Sequence, residues 1–206
     1  MSYTIAPWNA PAWPIEPLRQ RGVTVIELMV TIAVAAILIA IAIPSFATIF
    51  NSNRLAGSAN ELLATLQTAR VEAIRRNLRT VVCRSDNGAT CNTAAGNWGG
   101  WIAFVDTDNS STFNAGDVLL SSTLVAASVK ITASPAVSGA SNQIIFRPDG
   151  MAHAASGILL AATIGVCIAT TQPPQNARDV TIMSGSRLSI DTRNGGGACA
   201  APADPT

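Results

Sequence analysis

The side chains able to do chemistry in this 206-residue chain are few, and most of them come in groups. Cys83, Cys91, Cys167 and Cys199 are its four cysteines, a number that allows three disulfide pairings or one metal site. No two of them form a C-x-x-C pair of the kind structural zinc sites use, so no metal is expected. Asp106, Asp108, Ser110 and Asp117 take the first, third, fifth and twelfth places of a twelve-residue stretch. That approaches a calcium loop, but Ser111 stands where such a loop needs glycine and Asp117 where it needs glutamate. A solvated hairpin loop is the expectation. His153, the one histidine, has no free thiol and no nucleophile-elbow serine to serve, and is read as a loop residue. Gly195, Gly196 and Gly197 lie in a polar tail and read as a flexible link rather than a phosphate cradle. No catalytic residue and no cofactor are assigned, and an enzyme is not expected.

What remains is charge in unusual places, and the elements that must carry it. Hydrophobic residues make up 49% and charged residues 12%, which excludes intrinsic disorder. The 13 basic and 12 acidic side chains nearly cancel, which argues against coating nucleic acid by bulk charge. The mean hydropathy of +0.34 is concentrated near the start. From Val23 to Ile43 only Thr24, Glu27 and Thr31 interrupt an apolar run. As a helix that run measures roughly 31 Å, enough to cross the hydrocarbon core of a bilayer. Arg19 and Arg21 sit directly before it, so the start is expected to stay cytoplasmic and everything after Phe50 to be exported.

An ordinary signal peptide would be cut near Ala40 or Ala42, leaving a soluble secreted domain. A cut after Gly22 would instead keep the apolar helix in the mature protein. Glu27 favours the second reading. A carboxylate within a spanning segment costs on the order of 2.5–3.5 kcal/mol, so it is retained only with a partner and a role.

The stretch Arg21-Gly22-Val23-Thr24-Val25-Ile26-Glu27-Leu28-Met29-Val30 resembles the prepilin processing site of type IV pilins and type II secretion pseudopilins. Gly22 ends the basic leader, Val23 is the apolar first mature residue, and Glu27 is the fifth. Val23 stands where the family prefers Phe or Met. The resemblance implies cleavage and N-methylation by a prepilin peptidase. It also implies assembly in which Glu27 pairs with the N-terminal ammonium of a neighbouring subunit.

Downstream, Leu55, Ala59, Leu62, Leu66, Ala69 and Ala73 recur at four- and three-residue steps, with Leu63 and Ile74 widening the stripe. This predicts an amphipathic helix lying on a sheet, in preference to a coiled-coil seam; Pro44 should kink or loosen the helix before it. After Leu78 come β-prone runs at 80–83, 101–105, 118–124, 129–132, 143–146, 158–160, 163–169, 180–183 and 188–190. The fold class is therefore α+β, a long N-terminal transmembrane and amphipathic helix packed on an antiparallel β-rich head. Asn53 to Arg76, Val82-Cys83-Arg84-Ser85, Trp98 to Asp106, Ile145 to Gly150, and Cys167 with Ala177-Arg178-Asp179-Val180 resemble the GspH/FimT branch of the pilin class. The resemblance implies a pilin fold and a minor pilin of type IV pili or pseudopilin of type II secretion. Its partners would be other pilin subunits, the pilus assembly platform and the inner membrane, with the head in the periplasm.

In an oxidising compartment disulfides are the default, and proximity favours Cys83 with Cys91 and Cys167 with Cys199. In the chain-entropy model they would stabilise by roughly 2.6 and 3.7 kcal/mol. The organisation expected is a leader at 1–22, a spanning helix at 23–50, a head at 51–192 and a flexible tail at 193–206. Some FimT-type pilins bind double-stranded DNA for natural transformation through a Gly-Arg-x-Arg motif. Here Ser184-Gly185-Ser186-Arg187-Leu188-Ser189 matches it only at the glycine, with Arg187 one place off and Arg193 further on. Arg187 and Arg193 are the candidate DNA contacts, and Arg70, Arg75, Arg76, Arg79 and Arg84 form a second basic group, read first as a solvated helix face. Without Arg19, Arg21, Glu16 and Glu27 the chain keeps 11 basic and 10 acidic side chains, a weak anchor for phosphates.

Overall fold

A computed structural model describes residues 22–206, apart from the side chains at 43 and 44. Helix α1 (Val25–Arg76) opens where Thr24 caps it. Thr24 Oγ1 accepts the Glu27 N–H at 3.3 Å and the Thr24 carbonyl accepts the Leu28 N–H at 3.1 Å. Pro44, expected to kink or loosen this helix, does not end it. Arg75 and Arg76 occupy its last turn, where they complement the helix dipole, and Asn77 at φ 53 stops it.

The chain divides into two compact units, 1–41 and 42–206. In the first, the described apolar side chains of α1 are exposed all round, among them Val25, Ile26, Ile37 and Leu38. The helix contains a window of mean hydropathy 2.8 that is long and apolar enough to cross a membrane, and none of that window is buried.

In the second unit α1 changes character. Leu55, Ala59, Leu62, Leu66, Ala69 and Ala73 are all fully buried, the stripe read from the sequence. Ile74, expected to widen it, is 52% exposed, because it has rotated past the edge of the sheet contact. The helix shares its core with two sheets, as expected, built of β1 (Arg79–Arg84), β2 (Gly100–Asp106), β3 (Val118–Leu124), β4 (Lys130–Ala133), β5 (Gln143–Phe146), β6 (Ala152–His153), β7 (Ala162–Cys167), β8 (Ala177–Ile182) and β9 (Leu188–Arg193). A one-turn helix, α2 (Pro135–Ser138), follows β4. One sheet has the order β3-β2-β1-β5-β6, the other β4-β7-β8-β9, and every pairing is antiparallel.

Alternation along β1 and β2 explains why these strands read as apolar throughout. Val82, Trp101 and Ala103 face the core beneath α1, whereas Val81, Cys83, Ile102 and Phe104 form a second cluster with Ile145. Phe113, from the loop after β2, closes over it with its ring centroid 5.3 Å from that of Phe104. Both faces are thus covered, the condition under which strands lose period-two polarity. Two indole N–H groups are satisfied inside: Trp101 Nε1 donates to Thr65 Oγ1 at 3.1 Å and Trp98 Nε1 to Asn142 Oδ1 at 3.2 Å. The run at 158–160 forms no strand but a single bridge, His153 to Leu159, and β6 was not expected.

The tail is anchored, not a free link. Cys199 is bonded to Cys167, the Arg193 guanidinium donates to the Ala200 carbonyl, and Asp204 accepts the Ala136 N–H at the start of α2. Gly195 N–H donates to Asn176 Oδ1 at 2.7 Å, and Pro202 is buried over Gly165. Asn176 supplies the reason: its side chain also donates to the carbonyls of Ile168 and Ala198, knitting tail and loop together. On this packing, Leu66→Ala should cost about 2–5 kcal/mol of head stability. Ile74→Ala should cost within about 0.5 kcal/mol. Denaturant unfolding of the detergent-solubilised chain measures both, and equal losses would contradict the stripe.

Candidate functional site

At the N-terminus the helix-capping geometry places Glu27 in the first turn, exposed and without an ion pair among the described residues. Gly22 precedes the helix, and a Cβ built there would meet nothing within 4 Å. The described packing of the chain therefore does not itself require glycine at 22. Val23 is 68% exposed. The leader expected at 1–22 lies, except for Gly22, outside the described residues.

The four cysteines form the two expected bonds, Cys83–Cys91 and Cys167–Cys199, each with Cα atoms 5.6 Å apart. The first pins the loop after β1 onto the second apolar cluster. Arg84 holds the same loop, pairing with Asp86 at 3.0 Å and donating to the Ala94 carbonyl at 2.8 Å. The second bond ties the tail to the outer face of the four-stranded sheet.

The candidate DNA residues are not brought together as one cationic surface. Arg193 is closed on Asp179, with Nε 2.6 Å from Oδ2 and a second contact at 3.1 Å. This bidentate fork leaves the guanidinium little capacity for a phosphate. Arg187 is exposed after the short 184–186 turn and has no ion pair among the described residues. Sequence spacing does not reveal Asp179 as the partner; strand register does. Arg193 faces Ala177 across β8–β9, so Asp179 is its diagonal neighbour on the same face.

The second basic group is mostly neutralised in place. Arg75 and Arg76 both grip Glu72, at 2.7 and 2.6 Å, and hydrogen bonds from Arg75 and then Arg76 pull the Glu72 carboxyl down to about 2. Arg79 lies 3.4 Å from Asp106, Arg84 is on Asp86, and Arg70 donates to the Ser186 carbonyl at 2.9 Å.

In the loop after β2, carboxylate oxygens of Asp106, Asp108 and Asp117 lie within 4.8 Å of one another. The loop's own groups hold them. Asp106 accepts the N–H groups of Ser110 and Ser111, and Asp117 those of Thr107 and Asn114. Asp106 is buried, and burial pushes its carboxyl up, against the pull of the Ser111 N–H and Arg79; hydrogen bonds from Ser110 pull Asp108 down. His153 is not a loop residue: it is buried in β6 with Nδ1 3.1 Å from the Met151 carbonyl oxygen. Strand pairing to β5, which the turn-rich sequence around it disguised, places it there.

A helix of two characters on an antiparallel, disulfide-bonded head defines the pilin-like class of α+β protein. Residues 58–198 match the family described as Type II transport protein GspH, and residues 17–43 match the prokaryotic N-terminal methylation motif. The chain belongs to the GspH family. No curated protein matches it. Among solved structures it is similar to the type IV minor pilin FimU of Pseudomonas aeruginosa PAO1, at 20% identity and a TM-score of 0.47 over 66% of this chain and 92% of that one. It is similar also to the minor pseudopilin EpsH of the Vibrio cholerae type 2 secretion system, at 12% identity and a TM-score of 0.47 over 68% and 97%.

The Glu72 clasp has a defined pH signature. Because its carboxyl falls from 4.5 to about 2 on folding, its stabilising contribution is present above 4.5 and lost as the pH drops toward 2. Glu72→Gln should remove that part of the acid destabilisation, read as a smaller fall in melting temperature between those pH values. An unchanged acid profile would show that the clasp does not form.

Proposed function

We propose that this chain is a minor pilin-like subunit whose work is assembly. It is made with a leader that a prepilin peptidase cuts after Gly22, methylating Val23. The helix at 23–50 holds it in the inner membrane with the head in the periplasm, and the same helix later packs in a filament. There Glu27 pairs with the ammonium of a neighbouring Val23, which supplies the cation that a carboxylate in lipid needs. The observation carrying this reading is the methylation motif at 17–43 at the head of a helix whose most apolar window is wholly exposed. A glycine at 22 that the described packing does not call for supports an outside reader of that position.

The filament we favour is a type IV pilus, joined through the pilus assembly platform. The description of the matching family favours a second reading, the pseudopilus of type II secretion. Loss of twitching or transformation on deletion identifies the first, and loss of exoprotein export the second. The mature N-terminus should be methylated Val23. Glu27→Gln should leave processing intact while cutting incorporation into filaments at least tenfold, by immunoblot of sheared fibres. A mature start near Ile43 would instead mark a secreted domain without an anchor.

Double-stranded DNA enters this reading through one side chain. With Arg193 held by Asp179, Arg187 is the cation at the degenerate motif that is left to meet a phosphate. Retention of the purified chain on duplex DNA at low salt should fall with Arg187→Ala and lose about one unit of salt slope. Arg193→Ala should act mainly on stability. No retention of the unaltered chain would remove DNA from its partners.

A further inference from the structure

One end of the four-stranded sheet gathers cations that no carboxylate closes. Asn51 of α1 donates to the Gln172 carbonyl at 2.9 Å, which sets the loop between β7 and β8 against the first turns of the helix in the head. At that end Lys130 pairs with Cys167, and Cys167 with Ala177, beside Arg178. Arg54 lies three residues beyond Asn51, on a neighbouring part of the same helix surface. Arg54 and Lys130 are exposed and Arg178 is half-buried. None of the three has an ion pair among the described residues. Arg178 donates from one nitrogen to the Gln175 and Ala177 carbonyls.

The acids nearest to them are engaged or set back. Asp179 is closed on Arg193 and Asp86 on Arg84, while Asp191 pairs across from Asp179, two residues back along β9 from its end position, Arg193. The loop itself, Thr170 to Gln175, carries no charge. The residues just before Asn51 are apolar and exposed, Phe46, Ile49 and Phe50 among them. As a helix the segment from Val23 to Phe50 measures about 42 Å, against about 40–45 Å for a bilayer with its headgroups. On the membrane-anchored reading, on which this inference rests, Asn51 emerges at headgroup level. Charges within about 8 Å of it still feel an anionic surface at physiological ionic strength.

We propose that this end of the head docks on an anionic phospholipid surface, with Arg54, Lys130 and Arg178 meeting lipid phosphates. The occupant is lipid because Arg54 follows the exposed apolar residues Phe46, Ile49 and Phe50 on the same helix, and the positive charge at this end complements acidic headgroups. Docking would hold a stored subunit at the bilayer and would be given up as it joins a filament.

The test uses the full chain reconstituted in vesicles of phosphatidylcholine alone or mixed with phosphatidylglycerol. Amide hydrogen exchange is followed at 127–132 and 168–178. Phosphatidylglycerol should slow it there, by roughly fivefold per engaged cation. High salt should reverse the effect, and the combined variant Arg54→Gln, Lys130→Gln, Arg178→Gln should abolish it. Exchange in β1 and β2 reports that the variant is folded, and Arg187→Gln should behave as the unaltered chain. A chain inserted in both vesicles with identical exchange overturns the proposal alone, as does protection that survives the triple variant. A chain that inserts in neither overturns the membrane reading with it.

Discussion

The structure depends on how α1 disposes of apolar surface. Within the head one stripe, Leu55 to Ala73 with Thr65 beside it, is buried against the sheets and the opposite side of the helix is left to solvent. In the first unit there is no stripe, and Val25, Ile26, Leu28, Met29, Val30, Ile32, Ile37 and Leu38 are all exposed. Each such side chain left in water forgoes about 1.5–3 kcal/mol, so together they match or exceed the net stability of about 5–15 kcal/mol of a typical domain. A helix so clothed must pass from one apolar environment to another, lipid or packed helices. That requirement, more than any individual contact, makes an assembling subunit the reading that fits.

The head can follow that helix because its own stability is locally closed. Charges are neutralised by near neighbours in sequence or across a strand: Glu72 by Arg75 and Arg76, Asp86 by Arg84, Asp179 by Arg193. Such pairs contribute little each when exposed. Their consequence is that they withdraw cations from the surface, which is why the basic group on α1 does not read as a polyanion site. Disulfides act in the same sense, holding the loop after β1 and the tail where hydrophobic packing alone is thin.

Much of this was legible before any coordinates. The stripe on α1 carried its own period, and eight of the nine strand segments anticipated from sequence lie within or overlap observed strands, because β-branched runs between turn residues leave few alternatives. The exception, 158–160, forms only a bridge, since its Ile158 and Leu159 point into solvent at 70% and 61% exposure. β6 is two residues long, too short to carry a period, and hid His153 within it. Gly195-Gly196-Gly197 misled for a different reason. Composition reports local freedom, but the tail is restrained by Asn176, Asp204 and Cys199, contacts from distant parts of the chain.

The arginines show the same division between local and non-local information. Their number and spacing suggested two cationic groups, one across the end of α1 and β1 and one at 187–193, and register across β8–β9 removes Arg193 from the second. Register also assembles a third that spacing could not reveal, since Arg54, Lys130 and Arg178 are far apart in sequence and come to one end of the sheet only because β4, β7 and β8 start or end together there, with Asn51 held to the β7–β8 loop. A near-neutral total charge therefore conceals local differences: Glu72, Asp86, Asp106 and Asp179 are paired within the head, while Arg54, Lys130 and Arg178, at the end beside Asn51, have no ion pair among the described residues. On the membrane-anchored reading, that is the end at which positive charge has a counterpart.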